Sequence, residues 1–422
     1  MSIRAEPAGD RYPCFDGLRA LAAIAVLLHH ASIATAYSLR GFRVPLTDGR
    51  FGEYFARMDA GVQVFFLISG FLLYRPFVAA AFASRTVDVR TFFRRRFLRI
   101  YPAYWVAFTG IALFIGIDMP KGGARSMLEY FFLVHLYDTS TVVTATGDVA
   151  WRALGGISQS WTLVVEISFY LFLPLYAAVM QRLAGERSPR ARLHAELAGL
   201  AILYAVSVGW RAVAFWVVPD GSAFAFLGPY WLPAHFDLFA IGMGLGVLRA
   251  WADTRAEPPR LLRAVGRFDW QWWVLAAVSF HVVTFYVGLP AGLELVYGAK
   301  AYAKQFLYGL AALFLLLPAV FGPQDRGPVR RVLRWAPVAF LGTISYGIYL
   351  WHQGFIKKVH QWGGWDDIAL PNGPFLVHAG GAFALTVVVA TASWYLVERP
   401  LLGRKHERLL GRRAAAGARA AP

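Results

Sequence analysis

Apolar residues in this chain are gathered into long blocks separated by short polar segments. About ten blocks reach the roughly 20 residues needed to cross a hydrocarbon core of about 30 Å. They fall at 17–37, 61–82, 97–117, 160–181, 194–218, 230–250, 270–287, 302–321, 335–355 and 374–397. The first runs from Leu18 past Ala36, too long for the core of a cleavable signal peptide, and reads as the first span. A shorter run at 127–137 has too few residues to cross and is expected at the outer face as an interfacial or re-entrant piece.

The polar segments give sidedness. With the N-terminus in the cytoplasm, most of the 42 Lys and Arg residues fall in segments on the cytoplasmic side, as the positive-inside rule requires. An eleventh crossing at 127–137 would invert every later loop and spoil that bias. The pattern therefore predicts an all-α integral membrane protein of about ten transmembrane helices, both termini cytoplasmic, with no appended soluble domain. Residues 1–16 form a cytoplasmic N-terminal segment, 17–402 one membrane domain, and 403–422 a basic Ala/Arg-rich cytoplasmic tail.

Composition agrees. Of 422 residues 58% are apolar and 16% charged, against roughly 25% charged in a soluble domain; mean hydropathy is +0.47. An ordinary soluble enzyme is excluded. The surplus of 42 basic over 25 acidic residues gives a net charge of +17. Such a surplus can serve nucleic-acid binding, but its placement in loops on one side assigns it to topology, and no nucleic-acid partner is expected. The single cysteine, Cys14, cannot form an internal disulfide.

Ionisable residues inside spans are costly and mark candidate functional sites. Arg19 and His30 lie eleven residues apart on the first span, a spacing that returns to nearly the same helical face about 16 Å further along the axis. His29 points about 100° away. Arg96 and Arg99, spaced i, i+3 at the cytoplasmic start of the third span, share a face and offer the guanidinium forks that suit phosphate recognition; a topogenic anchor is the competing role. Glu166, Asp237 and His352 belong to the outer halves of their spans, where helix-to-helix hydrogen bonding competes with catalysis. An outer set and an inner arginine set suit a reaction that joins an outer substrate to an inner one. A histidine can take a proton from a hydroxyl, and a carboxylate can orient it.

These segments together resemble the acyltransferase-3 family of integral-membrane O-acyltransferases, which includes O-antigen acetyltransferases. The matching pieces are FDGLRALAAIAVLLHH from Phe15, GVQVFFLISGFLL from Gly61, RRRFLRIYPAYW from Arg94, SWTLVVEISFY from Ser160, HFDLFAIG from His235, ISYGIYLWH from Ile344 and VERPLL from Val397. Each alone is weak; seven in order are specific. The resemblance implies His30 as catalytic base with Glu166 orienting it, and Arg19, Arg96 and Arg99 on the acyl-donor path. Asp16, Ser69, Trp161, Asp237, Tyr346 and His352 are acceptor-side or supporting candidates. It implies acyl-CoA, commonly acetyl-CoA, as a donor substrate entering from the cytoplasm, with no permanently bound cofactor. The implied acceptor is a hydroxyl of a cell-envelope carbohydrate or another extracytoplasmic or membrane molecule, and the implied location is the bacterial inner membrane, among its lipids. The sequence stops soon after the tenth block, so the acceptor is expected to reach the membrane domain directly. Direct transfer and a covalent acyl-enzyme both stay open, with Cys14 badly placed as a nucleophile.

Other classes remain in competition. Ten spans with intramembrane charges also suit a transporter of a lipid-linked sugar or anion, a structural scaffold would carry ions tolerant of change, and a secreted natural product could replace the glycan as acceptor. Adjacent His29 and His30 lack a second ligand pair at helical spacing, so no metal site is expected. Oligomeric state leaves no mark in the sequence.

Overall fold

The computed structural model describes residues 12–40, 50–116, 123–143, 149–185, 188–290, 296–363 and 373–402. Its helices are, in chain order, α1 (Cys14–Arg40), α2 (Arg50–Ala56), α3 (Gly61–Phe82), α4 (Val89–Phe114), α5 (Gly123–Phe131), α6 (Trp161–Ala184), α7 (Pro189–Ala212) and α8 (Ala223–Leu227). They continue with α9 (Phe236–Asp253), α10 (Arg260–Arg267), α11 (Trp270–Phe285), α12 (Gly298–Val320), α13 (Pro328–Leu333), α14 (Ala336–Thr343), α15 (Ser345–Trp362) and α16 (Gly373–Ser393). Beside them, among the described residues, stands one antiparallel strand pair, β1 (Thr141–Val143) with β2 (Val149–Trp151), in which Thr141 faces Trp151.

The all-helical membrane class holds, and the protein is multi-pass. Seven helical stretches among the described residues are long and apolar enough to cross, and an eighth is a pair, Ala223–Tyr230 with Leu232–Asp253, bent by 47°. The remaining two of the ten expected blocks hold α11, whose 16 residues rise only about 24 Å, and the pair α14–α15, broken at Ile344. Length and composition thus support seven or eight crossings. The tail 403–422 and residues 1–11 lie outside the described residues.

The 127–137 run does not cross. It forms the nine-residue α5, a left-handed residue at Leu133 and a 3-10 turn over His135–Tyr137. Its apolar side chains divide: Tyr130, Leu133 and Leu136 are buried, while Met127, Leu128, Phe132 and Val134 are exposed. The Tyr104 hydroxyl donates to the Tyr130 carbonyl (2.7 Å), and Trp105 Nε1 to the Phe131 carbonyl (2.9 Å), which tie the segment to α4. It is a short cap packed against α4.

Between membrane helices, packing depends on small residues that let backbones approach. A side chain on Gly242 of α9 would run into the Leu67 carbonyl of α3, and one on Gly70 of α3 would meet the Phe239 carbonyl of α9 at 2.5 Å. These reciprocal glycines bring α3 and α9 together. Phe239 then stacks on Phe169 of α6 at 3.9 Å, which joins the third helix to the core.

Candidate active site

A cavity of about 200 Å³ lies where α1, α3, α4, α6 and α15 converge. Arg19, Arg96 and Arg99 supply its basic lining, Ser69, Glu166 and Tyr170 its polar middle, and Thr162, Ser345, Tyr346 and Tyr349 further hydroxyls. Local sequence fixes the arginines. Asp88 caps α4 by accepting from the backbone N–H groups of Arg90 (3.0 Å) and Thr91 (3.2 Å), which sets the register in which Arg96 and Arg99 share a face. Arg19 is one turn from Asp16, which accepts from its guanidinium at 3.1 Å.

Arg99 donates to Glu398 at 3.3 Å, and its guanidinium sits 5.8 Å from the Tyr346 ring. Glu398, 2% exposed, comes from a π-helical turn (Trp394–Glu398) that continues α16; such turns recur at functional positions. Arg96 lies between rings instead, 5.9 Å from both Phe92 and Tyr170, and its Nε has no hydrogen-bond partner. Tyr346 donates to the Ile100 carbonyl at 2.9 Å, which fixes α15 against α4 beside the arginines.

Glu166 accepts a hydrogen bond from Ser69 at 2.8 Å. That contact differs from the expectation that Glu166 orients His30. The partner of His30 is His352: Nε2 of His352 lies 3.0 Å from Nδ1 of His30. The protons follow from the neighbours. His352 Nδ1 faces the carbonyl oxygens of Tyr349 (2.7 Å) and Ile348 (3.2 Å), which only accept, so that nitrogen carries the hydrogen. In the neutral ring Nε2 is then an acceptor, and His30 Nδ1–H donates both to it and to the Val26 carbonyl at 2.9 Å. In its neutral form His30 then has an unprotonated Nε2, free to act as a base.

Neither histidine lines the cavity. Tyr349 lies between: it lines the cavity, and its ring centroid is 5.8 Å from that of His352. Its hydroxyl donates to the Gln159 carbonyl at 3.0 Å and lies 2.6 Å from the Thr162 hydroxyl.

The remaining candidates stand elsewhere. Asp237 is 26 residues from Arg211 and forms with it a buried ion pair at 2.8 Å, also receiving Gln305 Nε2 at 3.2 Å. Trp161 packs between the rings of Tyr230 (5.2 Å) and His235 (5.6 Å). The structure therefore gathers Arg19, Ser69, Arg96, Arg99, Glu166 and Tyr346 into one cavity, pairs His30 with His352 beyond it, and leaves Asp237 and Trp161 in helix packing. Tyr170, Tyr349 and Glu398 were not singled out from sequence, although all three sit inside or beside the motifs that were.

A family model described as an acyltransferase domain matches residues 12–120 and 126–395. Among curated proteins, the chain is 24% identical over 398 residues to the peptidoglycan O-acetyltransferase OatA of Listeria monocytogenes, covering 92% of this chain and 55% of that one. It is 25% identical over 405 residues to the putative peptidoglycan O-acetyltransferase YrhL of Bacillus subtilis (92% and 54%), and 21% identical over 391 residues to the O-acetyltransferase OatA of Staphylococcus aureus (92% and 57%). The chain spans little more than half the length of these relatives.

Proposed function

The chain belongs to the family of that acyltransferase domain, and from this membership we propose that it is a bacterial membrane O-acetyltransferase acting on a hydroxyl of a cell-envelope carbohydrate. The observation that carries the reading is the cavity in which Arg19, Arg96 and Arg99 lead to Ser69 and Glu166, with the His30–His352 pair one side chain beyond. Three guanidinium groups at one end suit the phosphates of acetyl-CoA. Asp16 and Glu398 hold two of them in place, and Arg96 is left to bind.

Arg19 and His30 are separated by about 16 Å along α1, the distance the thioester arm of the donor has to cover. Ser69 and Glu166 line that path, where the carboxylate accepts from amide N–H groups of the arm. At its end the acceptor hydroxyl gives its proton to His30 Nε2 as its oxygen attacks the thioester carbonyl. The tetrahedral intermediate collapses, the C–S bond breaks, and the coenzyme A thiolate takes the proton back from His30. His352 fixes the tautomer and ring orientation of the base, and no permanently bound cofactor takes part.

The test is acetyl transfer from labelled acetyl-CoA to envelope glycan in membranes carrying wild type or His30→Ala. The variant should lose on the order of 10²- to 10⁴-fold in rate, the size of a general base contribution. Equal transfer would remove His30 from the chemistry; solute transport by wild type without transfer would make the protein a carrier. Mass spectrometry of envelope glycans and secreted metabolites, with and without the protein, separates a glycan acceptor from a natural product.

A further inference from the structure

A second and larger cavity, about 510 Å³, lies away from the first, between the end of α9, the short helix α10, the end of α12 and the start of α13. Its construction is specific. Gly266 of α10 packs directly on Gly322, a left-handed residue at φ +85°, and a side chain at either would strike the other's backbone. The buried Arg330 staples the two segments, donating to the carbonyls of Pro318 (2.7 Å), Phe321 (2.8 Å) and Gly266 (3.4 Å). Trp272 Nε1 adds a bond to the Val265 carbonyl at 3.0 Å.

That framework holds α10 as a two-faced helix. Arg260, Arg263 and Arg267 recur at i, i+3 and i+7 on one face, while Leu261, Leu262 and Val265 occupy the other. Leu261, Phe268 and Trp270 are exposed apolar side chains of the kind an interfacial helix sinks into a lipid surface. The cavity beside them has an apolar floor that includes Ala252, Leu262 and Phe321, and a rim of Arg249, Arg263, Arg267 and Arg326. Acids only partly offset the rim: Asp253 takes Arg249 at 3.1 Å and is shared with Arg75, and Asp269 lies buried in the wall. Arg263 and Arg326 pair with Glu257 and Asp325, both strongly exposed, and such pairs are weak.

We propose that this cavity binds the phosphate headgroup of an anionic phospholipid, with the glycerol and upper chains against the apolar floor. Sidedness by the positive-inside bias would require only that arginines lie in this loop. It would not require four of them to ring one apolar-floored hollow beside a two-faced helix with exposed apolar neighbours. The site is independent of the acyl-transfer cavity and does not rest on the function proposed for it.

The experiment is native mass spectrometry of the full chain released from nanodiscs of equal phosphatidylglycerol and phosphatidylcholine. Wild type should retain phosphatidylglycerol preferentially. The Arg263→Gln/Arg267→Gln double variant should lose about fivefold of that preference per arginine removed, the attraction of one basic side chain for an anionic surface. The same charge change at Arg182 and Arg190 should leave it unaltered, and size-exclusion profiles report folding of all three. Three results would overturn the proposal: no preference in wild type, an equal loss in the Arg182/Arg190 control, or displacement of the lipid by millimolar inorganic phosphate or coenzyme A, which would assign the rim to a soluble ligand.

Discussion

His352 and His30, 322 residues apart in sequence, meet through one nitrogen each at 3.0 Å, and the carbonyls below His352 decide which nitrogen of His30 is free. This puts the likeness between α1 and α15 in the chemistry: each histidine bonds the carbonyl four residues earlier on its own helix, His30 to Val26 and His352 to Ile348. One ring thereby presents a donor and the other an acceptor at the point of contact.

His352 is accordingly expected to act as a positioning residue. His352→Leu should lower kcat on the order of tenfold or more while leaving KM for the proposed donor, acetyl-CoA, near its wild-type value, because the arginines of the proposed donor path are untouched. His352→Gln, whose side-chain oxygen can accept from His30 Nδ1–H, should recover part of the rate. Steady-state kinetics in proteoliposomes check both; unchanged kcat in the leucine variant, or a loss confined to KM, would reject the role.

The arginines should separate into two kinds. Removing Arg99 leaves the buried Glu398 without its partner, a loss that costs about 3–5 kcal/mol for buried pairs. Arg99→Ala should therefore lower both thermal stability and donor affinity. Adding Glu398→Gln should restore stability and not affinity. Arg96 forms no ion pair with an acid among the described residues and sits between the Phe92 and Tyr170 rings, so Arg96→Ala should raise KM for the proposed donor with little change in melting temperature. Thermal unfolding in detergent alongside kinetics distinguishes these from misinsertion.

The inner arginines were legible because i, i+3 spacing on a capped helix leaves little freedom: Arg96 and Arg99 do share the cavity wall with Arg19. The helix-bearing blocks were legible for the same local reason. Pairings across helices were not. Helical spacing within α1 carries no information about α15, so the sequence could place His30 and His352 in the same half of the membrane without joining them, and the Ser69 hydrogen bond to Glu166 was no more readable. Crossing number is less legible for a related reason: apolar length counted along the chain gives about ten blocks, whereas seven or eight helical stretches among the described residues are long and apolar enough to cross, with α11 only 16 residues long and the α14–α15 pair interrupted at Ile344.

Asp237 is expected to be structural. With Arg211 it forms a pair whose side chains are 4% and 7% exposed, and Arg211 also donates to the Ala234 carbonyl at 2.5 Å. Asp237→Ala strands a buried guanidinium and should destabilise the protein by about 3–5 kcal/mol. The folded fraction should keep its kcat. Unfolding curves together with rate per folded molecule check this, and a stable variant with a lost rate would move Asp237 into the chemistry.

Asp138 should give the cap beside α4 a pH dependence of known sign. Burial alone would raise its carboxyl, but hydrogen bonds from the Ser140 hydroxyl (2.7 Å) and backbone (3.0 Å), with Arg152 at 3.4 Å, hold it below the usual range. A carboxyl lowered by folding contributes stability that is complete above its unfolded value of about 3.9 and is lost as pH falls through the folded value. His135, stacked on Tyr130 at 4.3 Å, is pushed down to about 3 by burial, so its own contribution is lost progressively as pH falls below about 6.5; that loss is common to wild type and the Asp138 variant and cancels in their difference. Hydrogen exchange over 130–143 and 149–155 should thus be faster in Asp138→Asn than in wild type at pH 7, and the two should converge as the pH is lowered past about 4. A gap that persists undiminished at low pH would show that the asparagine disturbs the cap by its shape and that the charge of Asp138 contributes nothing to holding it.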